Sequence, residues 1–389
     1  MLYRELGNTD FKASLLGMGC MRLPFIDDAD MTKGVNREKA YELIRYAVEH
    51  GINYFDTAQG YHGGDSEAIL GEALDYNVNG TGLREKVWIT TKHPFWGDVS
   101  TDKIRQNLEA TLKKLRTDYL DTYLMHGIGP GNWENIKKWD IWGVFEKFKA
   151  EGLIKHIGFS YHGNFEHFTE VVKHYPWELC LVMHNMLDQK REVTVKGIEI
   201  AAERGIAVTI MEPLRGGGLS HAPKAVQNVY DGSPVKRTPT EWAFRYLADM
   251  PGVHSIVSGM SSMKQLKENL AIFSQPDMVP GLLTPDEQKL IVAAREAYES
   301  IVTIPCTACN YCMPCPQGVG ISSAFTQYND GNRFEFFDQV RRSYMFATRG
   351  RRGIDKCTQC GICTPKCPHG IDIPNQLQVA HEALKGWKE

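Results

Sequence analysis

Two sets of residues in this chain have the types and spacings that do chemistry. The first is a pair of cysteine runs, Cys306-x2-Cys309-x2-Cys312-x2-Cys315-Pro316 and Cys357-x2-Cys360-x2-Cys363-x3-Cys367-Pro368. Four thiols this closely spaced, followed by proline, have the spacing of four-thiolate iron–sulfur ligation. Structural zinc competes with that reading, but it commonly pairs its cysteines across a longer loop. The second set is dispersed: Asp56, Tyr61, Lys92 and His126 fall at or just beyond the ends of short apolar runs. Singly, such an Asp is usually a turn or cap residue and such a His a satisfied structural one. Together they name a coherent chemistry, the reduction of a carbonyl. A cofactor supplies the electrons. A phenol whose pKa is drawn down from about 10 by a nearby ammonium protonates the nascent alkoxide. The carboxylate holds the ammonium, and the imidazole hydrogen-bonds the substrate oxygen.

These residues need elements to position them. From about residue 14 to 270 the sequence alternates short β-branched or apolar runs with longer segments of helical period, as repeated βα units do. The expected strands are Ser14 to Gly19, Ile52 to Asp56, Lys86 to Thr91, Tyr119 to Met125, Ile154 to Phe159, Leu179 to Met183, Ile206 to Met211 and His254 to Ser258. Between them, Arg37 to His50 places Ala40, Leu43, Ile44, Ala47 and Val48 on one face, with Gly51 as a C-cap, and Ile104 to Leu115 does likewise with Leu108, Thr111, Leu112 and Leu115. Periodicity alone leaves a closed (β/α)8 barrel and an open doubly wound sheet both standing. In a barrel the functional groups belong at the C-terminal ends of the strands. Asp56 closes the second expected strand, Lys92 follows the third and His126 the fourth. A dinucleotide-type G-x-G-x-x-G is missing: Gly17-Met18-Gly19 begins one, but Arg22 occupies the third glycine position.

Phe55-Asp56-Thr57-Ala58-Gln59-Gly60-Tyr61 with Ser66-Glu67, then Thr90-Thr91-Lys92, then Tyr123-Leu124-Met125-His126, resemble in order the signatures of the aldo-keto reductase superfamily. The resemblance spans about residues 1 to 275. It implies an α/β fold, a (β/α)8 TIM barrel with an N-terminal hairpin, and a catalytic tetrad of Asp56, Tyr61, Lys92 and His126. It also implies where a dinucleotide binds. Ser160, in Gly158-Phe159-Ser160, and Asn185 match the family's nicotinamide contacts. The run Met211-Glu212-Pro213-Leu214-Arg215-Gly216-Gly217-Gly218 is similar to the loop that covers the pyrophosphate, with Met211, Pro213, Leu214, Gly216 and Gly218 as contacts. Gly259, Ser261, Gln265, Glu268 and Asn269 correspond to the adenosine end. The chain departs from the family at Leu181, where a carboxamide-binding glutamine is usual, and at Met211, where many members stack an aromatic ring. Gly259 and Gln265 stand where a lysine and an arginine often meet a 2'-phosphate, so NADH is expected over NADPH, with Lys264 as the cation that opposes this.

The cysteine runs resemble those of bacterial two-cluster 4Fe-4S ferredoxins. The resemblance implies that the fourth cysteine of each run crosses over, so that Cys306, Cys309, Cys312 and Cys367 hold one cluster and Cys357, Cys360, Cys363 and Cys315 the other. Residues 316–356 separate the runs, and Phe334 to Phe346 looks partly helical, which points to a small, mainly α-helical ferredoxin-like domain. The expected division is a barrel at 1–284, a linking helix at 285–303 and the cluster domain at 304–389. Arg333, Arg341, Arg342, Arg349, Arg351, Arg352 and Lys356 form a basic stretch that reads equally as solvated surface or as a dock for an acidic electron carrier.

The chain has 389 residues, 42% hydrophobic and 23% charged, with a net charge of −3, which describes an ordinary globular protein with no nucleic-acid partner. Its start lacks a basic lead before an apolar core, and no apolar run would span a bilayer, so no membrane association and a cytoplasmic location are expected. Thiols clustered for metal binding suit a reducing compartment. Cys20 and Cys180, outside the runs, read as core residues. The expected substrate is a small-molecule carbonyl or alcohol, bulky and apolar if Phe25, Phe95, Trp96, Trp133 and Trp139 line its pocket. His93 and His162 are near enough in sequence to touch it. Hydride carries two electrons and each cluster passes one, so coupling the halves calls for a splitter, a flavoprotein partner or an internal route, with structural or redox-sensing clusters as the alternative. The competing function is a ferredoxin-like electron-transfer or redox-sensing protein whose barrel binds nucleotide without turnover.

Overall fold

The computed structural model describes all residues except 28–32, 76, 79–80, 96–98, 190–191, 349–351 and 386–389. Trp96, Arg349 and Arg351 lie outside the described residues. Eight parallel strands follow one another round a closed barrel: β1 (Leu16–Gly19), β2 (Tyr54–Asp56), β3 (Trp88–His93), β4 (Leu120–Ile128), β5 (Ile154–Tyr161), β6 (Leu179–Met183), β7 (Ala207–Met211) and β8 (Ser255–Ser258). β8 pairs with β1 and closes the ring, so the open-sheet alternative falls. An antiparallel hairpin, Tyr3–Glu5 with Lys12–Ser14, precedes β1.

The two-residue period of a strand explains what the barrel does with its side chains. Tyr54, Trp88, Leu124, Leu179, Leu181, Ala207 and Val257 point inward and pack with Leu6 and Ala13 of the hairpin region. Phe55, Ile89, Tyr123, Met125, Cys180, Val182 and Ile210 take the other parity and join the helices in the outer core. Cys20 and Cys180 are both fully buried in that layer, as expected of core residues. Polar groups inside the barrel satisfy one another: Thr90 Oγ1 donates to Tyr54 Oη at 2.9 Å and Trp88 Nε1 to Thr122 Oγ1 at 2.9 Å.

The helices form where their apolar stripes and caps direct. Asn36 accepts from the Lys39 amide at 3.1 Å to start Arg37–Glu49, which buries Ala40, Leu43, Ile44 and Ala47. His50 ends that helix and Gly51 follows it with φ 93°. Ser100 caps Thr101–Leu115 in the same way, and that helix buries Ile104, Leu108, Thr111, Leu112 and Leu115.

The chain divides into two compact units, Met1–Leu214 with Ala243–Thr284, and Arg215–Trp242 with Pro285–Glu389. The second therefore includes residues 215–242, which the sequence reading gave to the barrel. The expected linking helix is Pro285–Ser300, within this unit. Helices Ile321–Phe334, Phe337–Thr348 and Ile373–Leu384 share a small core of Ile321, Phe325, Val340, Tyr344, Ile373 and Leu377, against which six of the cysteines pack. Asn329 knits the entry to this core, its side chain bonding both the amide and the carbonyl of Ile304 at 3.1 and 2.8 Å. Among the described residues no helix is long and apolar enough to cross a membrane.

Candidate active site and cluster ligands

Strand parity brings the polar residues together. Asp56 has the parity of Tyr54, Lys92 that of Trp88 and Thr90, and His126 that of Leu124, so all three project into the barrel's C-terminal end. Lys92 and His126 lie within β3 and β4 rather than beyond them, because both strands run further than their apolar stretches suggested. Tyr61 sits on a tight turn, Tyr61–Gly64, which His62 (φ 52°), Gly63 (φ 67°) and Gly64 (φ 101°) allow to reverse sharply.

The Lys92 ammonium is the hub. It donates to Asp56 Oδ1 at 2.6 Å, to the carbonyl of Thr57 at 2.7 Å and to Tyr61 Oη at 3.1 Å, which uses its three donors. Lys92 is 1% exposed and Asp56 4%, and Tyr61 is half-buried. The His126 ring stands edge-on to Tyr61, centroids 6.1 Å apart at 83°. Thr57 was not anticipated as part of this site, since a main-chain acceptor leaves no mark in residue type. Behind it, Glu67 accepts from Thr91 at 2.8 Å and Thr111 at 3.1 Å, and Thr57 Oγ1 and Ser66 Oγ bond at 2.9 Å, so the turn is fixed to the helix that follows.

The electrostatics correct one expectation. Burial raises the Tyr61 pKa, the Lys92 ammonium opposes it, Asp56 reinforces it, and the net direction is upward, not downward. The reason is first that burial disfavours the phenolate, and then that Asp56, paired with Lys92, offsets part of the ammonium's field at the phenol. Burial disfavours charge on Lys92, but Asp56 and Tyr61 outweigh it, so Lys92 stays an ammonium. His126 is pushed down to about 3 by burial and then by Lys92, His162 and His93, which makes it a neutral imidazole.

The expected dinucleotide contacts are distributed as follows. Ser160 Oγ accepts from the Gly127 amide at 2.8 Å. Asn185 is committed to its own turn, with Oδ1 accepting from the amides of Leu187 and Asp188 and Nδ2 donating to Asp188. Leu181 faces the barrel interior, and Met211 ends β7 beside Met183. Pro213 and Leu214 close the first unit, whereas Gly216 (φ 67°) and Gly218 belong to the second. Gln265 Oε1 accepts from the Ser261 amide at 2.8 Å, Asn269 donates to Ser258 at 3.2 Å, and Glu268 faces Lys264 at 3.9 Å. A Cβ at Gly259 would sit 3.1 Å from the side chain of Arg22, an exposed cation whose part here was not foreseen.

The aromatic expectations change. Trp133 is 1% exposed and donates to Glu170 at 2.6 Å, so it anchors its helix rather than lining a pocket. His93 has the outward parity of Ile89 and packs between Phe95 and Phe145, away from the substrate side of its strand. Burial holds its pKa at about 4. His162 is exposed, 3.9 Å from Glu192. In the basic stretch, Arg333 binds Asp330, and Arg341 binds Asp338 and the carbonyl of Ala383, leaving Arg352 and Lys356 as the exposed members described.

The thiols fit the two implied cluster sets. Cys306, Cys309, Cys312 and Cys367 line one cavity of about 320 Å³, counting its open mouth. In the other set, burial raises the Cys363 thiol, and Cys315, Cys357 and Cys360 reinforce the rise. Cys315 thus lies with the second run and Cys367 with the first. Thiols ringing a cavity, rather than meeting at a point, suit a cluster larger than a zinc ion, whose ligands all lie about 2.3 Å from one centre.

Residues 15–279 match the family model described as the aldo/keto reductase family, and residues 305–372 match that of a 4Fe-4S dicluster domain. An uncharacterized oxidoreductase, YqkF, of Bacillus subtilis is 28% identical over 300 residues, covering 69% of this chain and 90% of that protein. The NADH-specific methylglyoxal reductase of Escherichia coli is 24% identical over 315 residues, covering 68% and 91% respectively. The solved holo structure of the aldo-keto reductase AKR11C1 from Bacillus halodurans superposes with a TM-score of 0.62 at 27% identity, over 76% of this chain and 97% of that one.

Proposed function

Since the chain belongs to the aldo/keto reductase family and carries a 4Fe-4S dicluster domain, we propose that this NAD(P)-dependent oxidoreductase interconverts a carbonyl and an alcohol, with Tyr61 as general acid and base. The observation that carries the reading is the 3.1 Å hydrogen bond from Lys92 to Tyr61, with Lys92 held in turn by Asp56. A bound nicotinamide would supply the hydride. Tyr61 protonates the carbonyl oxygen in reduction and takes the proton back in oxidation, and its upward pKa keeps it protonated at neutral pH. His126, neutral, donates a hydrogen bond to the same oxygen. As the phenolate forms, Lys92 stabilises it at the atom it already contacts. Asp56 keeps Lys92 charged and aimed.

Ser160, Asn185, Met211, Pro213, Leu214, Gly216, Gly218, Gly259, Ser261, Gln265, Glu268 and Asn269 would hold the dinucleotide. NADH is the proposed preference, supported by Gly259 and Gln265 at the phosphate-facing positions and by a relative named for NADH-specific reduction of methylglyoxal. The two clusters, on the eight cysteines, would supply single-electron transfer or hold the second unit together. An acidic electron carrier or flavoprotein is the partner that would connect the two electron counts.

Anaerobically purified protein, assayed for NADH oxidation against a carbonyl panel, tests the reading. Tyr61→Phe is expected to lower kcat/KM by roughly 10²- to 10⁴-fold. Because neither Tyr61 nor His126 titrates near neutrality, wild-type kcat/KM should be flat between roughly pH 5 and 8. Wild-type turnover in the Phe variant would leave the nucleotide-binding electron-transfer reading in its place.

A further inference from the structure

We propose that Asp330, Phe334 and Gln339 are positioning residues for the glycine loop that follows β7, fixing the shape of its Arg215–Gly218 part from within the second unit. This rests on the reading of that loop as the pyrophosphate cover. The loop's backbone needs outside support. Glu212 (φ 54°) and Arg215 (φ 47°) are left-handed without being glycine, and Gly216 (φ 67°) and Gly217 (φ 98°) continue the run. Such conformations persist where surroundings over-determine them.

Within the second unit, three successive fixings do so. The Arg215 guanidinium forks onto the Asp330 carboxylate, with NH2 at 3.1 and 3.2 Å from its two oxygens, and the side chains are only 13% and 18% exposed. The Gln339 amide donates to the Gly216 carbonyl. The Phe334 ring lies so close to Gly218 that a Cβ there would come within 2.7 Å of it. Gly218 is therefore required by a neighbouring ring, whatever phosphate it also meets.

Asp330 and Phe334 lie in the last turn and a half of the helix Ile321–Phe334. The first turn and a half of the same helix contributes Ile321, Ser322 and Phe325 to the cavity lined by Cys306, Cys309, Cys312 and Cys367. One helix about 20 Å long thus touches a cluster site at one end and the loop at the other. Coupling through it is reciprocal: what fixes the loop favours dinucleotide, and dinucleotide stabilises the cluster unit.

The test titrates NADH, and then NADPH, into anaerobic holoprotein by fluorescence, with iron content measured on each sample. Asp330→Ala is expected to bind about tenfold more weakly at unchanged iron, and Gln339→Leu a few-fold more weakly. NADH should also slow the chelator-induced loss of cluster absorbance in the wild type and not in Asp330→Ala. Iron-replete Asp330→Ala with wild-type affinity overturns the proposal. If Asp330→Ala loses its iron, Gln339→Leu decides on the same criterion. Wild-type protein that holds neither dinucleotide brings down the functional reading as well, so the two failures are distinguishable.

Discussion

The barrel mouth and the cysteine runs reach their chemistry by opposite routes. At the mouth, Lys92, Asp56, Tyr61 and the Thr57 carbonyl are bonded to one another, with Lys92 and Asp56 almost wholly buried. In the cysteine runs Cys309 and Cys360 are exposed and the other six cysteines half-buried. The two loops bend alike, with left-handed residues at Ala308 and Gln359 before the second cysteine of each run, and at Asn310 and Gly361 just after it. The first site is finished by strand register, which the whole barrel enforces. The second presents its thiols around a space that an inorganic core would complete, so its stability is tied to metal and to thiol deprotonation. Pre-organisation is thus a property of the fold in one region and of the cofactor in the other.

The comparison breaks most severely if Lys92 is removed. Lys92→Met leaves the Asp56 carboxylate buried without its counter-charge, a situation that costs about 3–5 kcal/mol. For a unit of this size that corresponds to a fall of roughly 10 °C in the thermal midpoint of the barrel. Adding Asp56→Leu should recover most of the stability, and none of the carbonyl reduction, while cluster absorbance stays unchanged throughout. A single variant as stable as wild type would mean that the pair is not the pre-formed hub described.

Exchange of one cysteine sharpens the other side. With crossed ligation, Cys367→Ser empties the cluster of the first run, although Cys367 belongs to the second in sequence. Iron should fall by roughly half, and the electron paramagnetic resonance signal lost should be the one lost in Cys309→Ser. Loss of the signal shared with Cys360→Ser would instead mean that each run holds its own cluster.

How much of this the sequence disclosed follows the same contrast. Local period and spacing were enough for the eight strands, whose observed ends differ from the expected ones by at most three residues, as in Leu120–Ile128 against Tyr119 to Met125. Spacing was likewise enough for the 4Fe-4S dicluster domain. Long-range facts were not legible. The direction of the Tyr61 pKa depends on how far burial and Asp56 outweigh Lys92, a balance that only packing sets. Trp133 reads equally as pocket wall or anchor until Glu170 is found beside its indole nitrogen. The assignment of residues 215–242 to the second unit arises from contacts such as Arg215 to Asp330, more than a hundred residues apart in the chain.

The smallest expected effect concerns the far end of the dinucleotide site. By the family resemblance Gly259 and Gln265 would stand where cations neutralise a 2'-phosphate, which is the basis for the proposed NADH preference. Arg22 complicates this, because its β, γ and δ carbons lie 3.1 to 3.2 Å from where a Gly259 Cβ would be. The glycine therefore makes room for the aliphatic stem of the exposed Arg22 side chain. An exposed ion pair is worth about 0.2–1 kcal/mol, so its loss should change affinity by only about 1.4- to fivefold. If NADH preference reflects missing cations, Arg22→Ala weakens NADPH binding by that factor, leaves NADH binding unaltered, and widens an existing gap. If wild type binds NADPH at least as tightly as NADH and the variant reverses the order, Arg22 is itself the phosphate's cation, and the preference read from Gly259 and Gln265 is wrong. Salt checks the pair itself, since the Arg22–phosphate contribution should shrink with ionic strength, so that wild type and Arg22→Ala converge in NADPH affinity at high salt while their NADH affinities stay equal throughout.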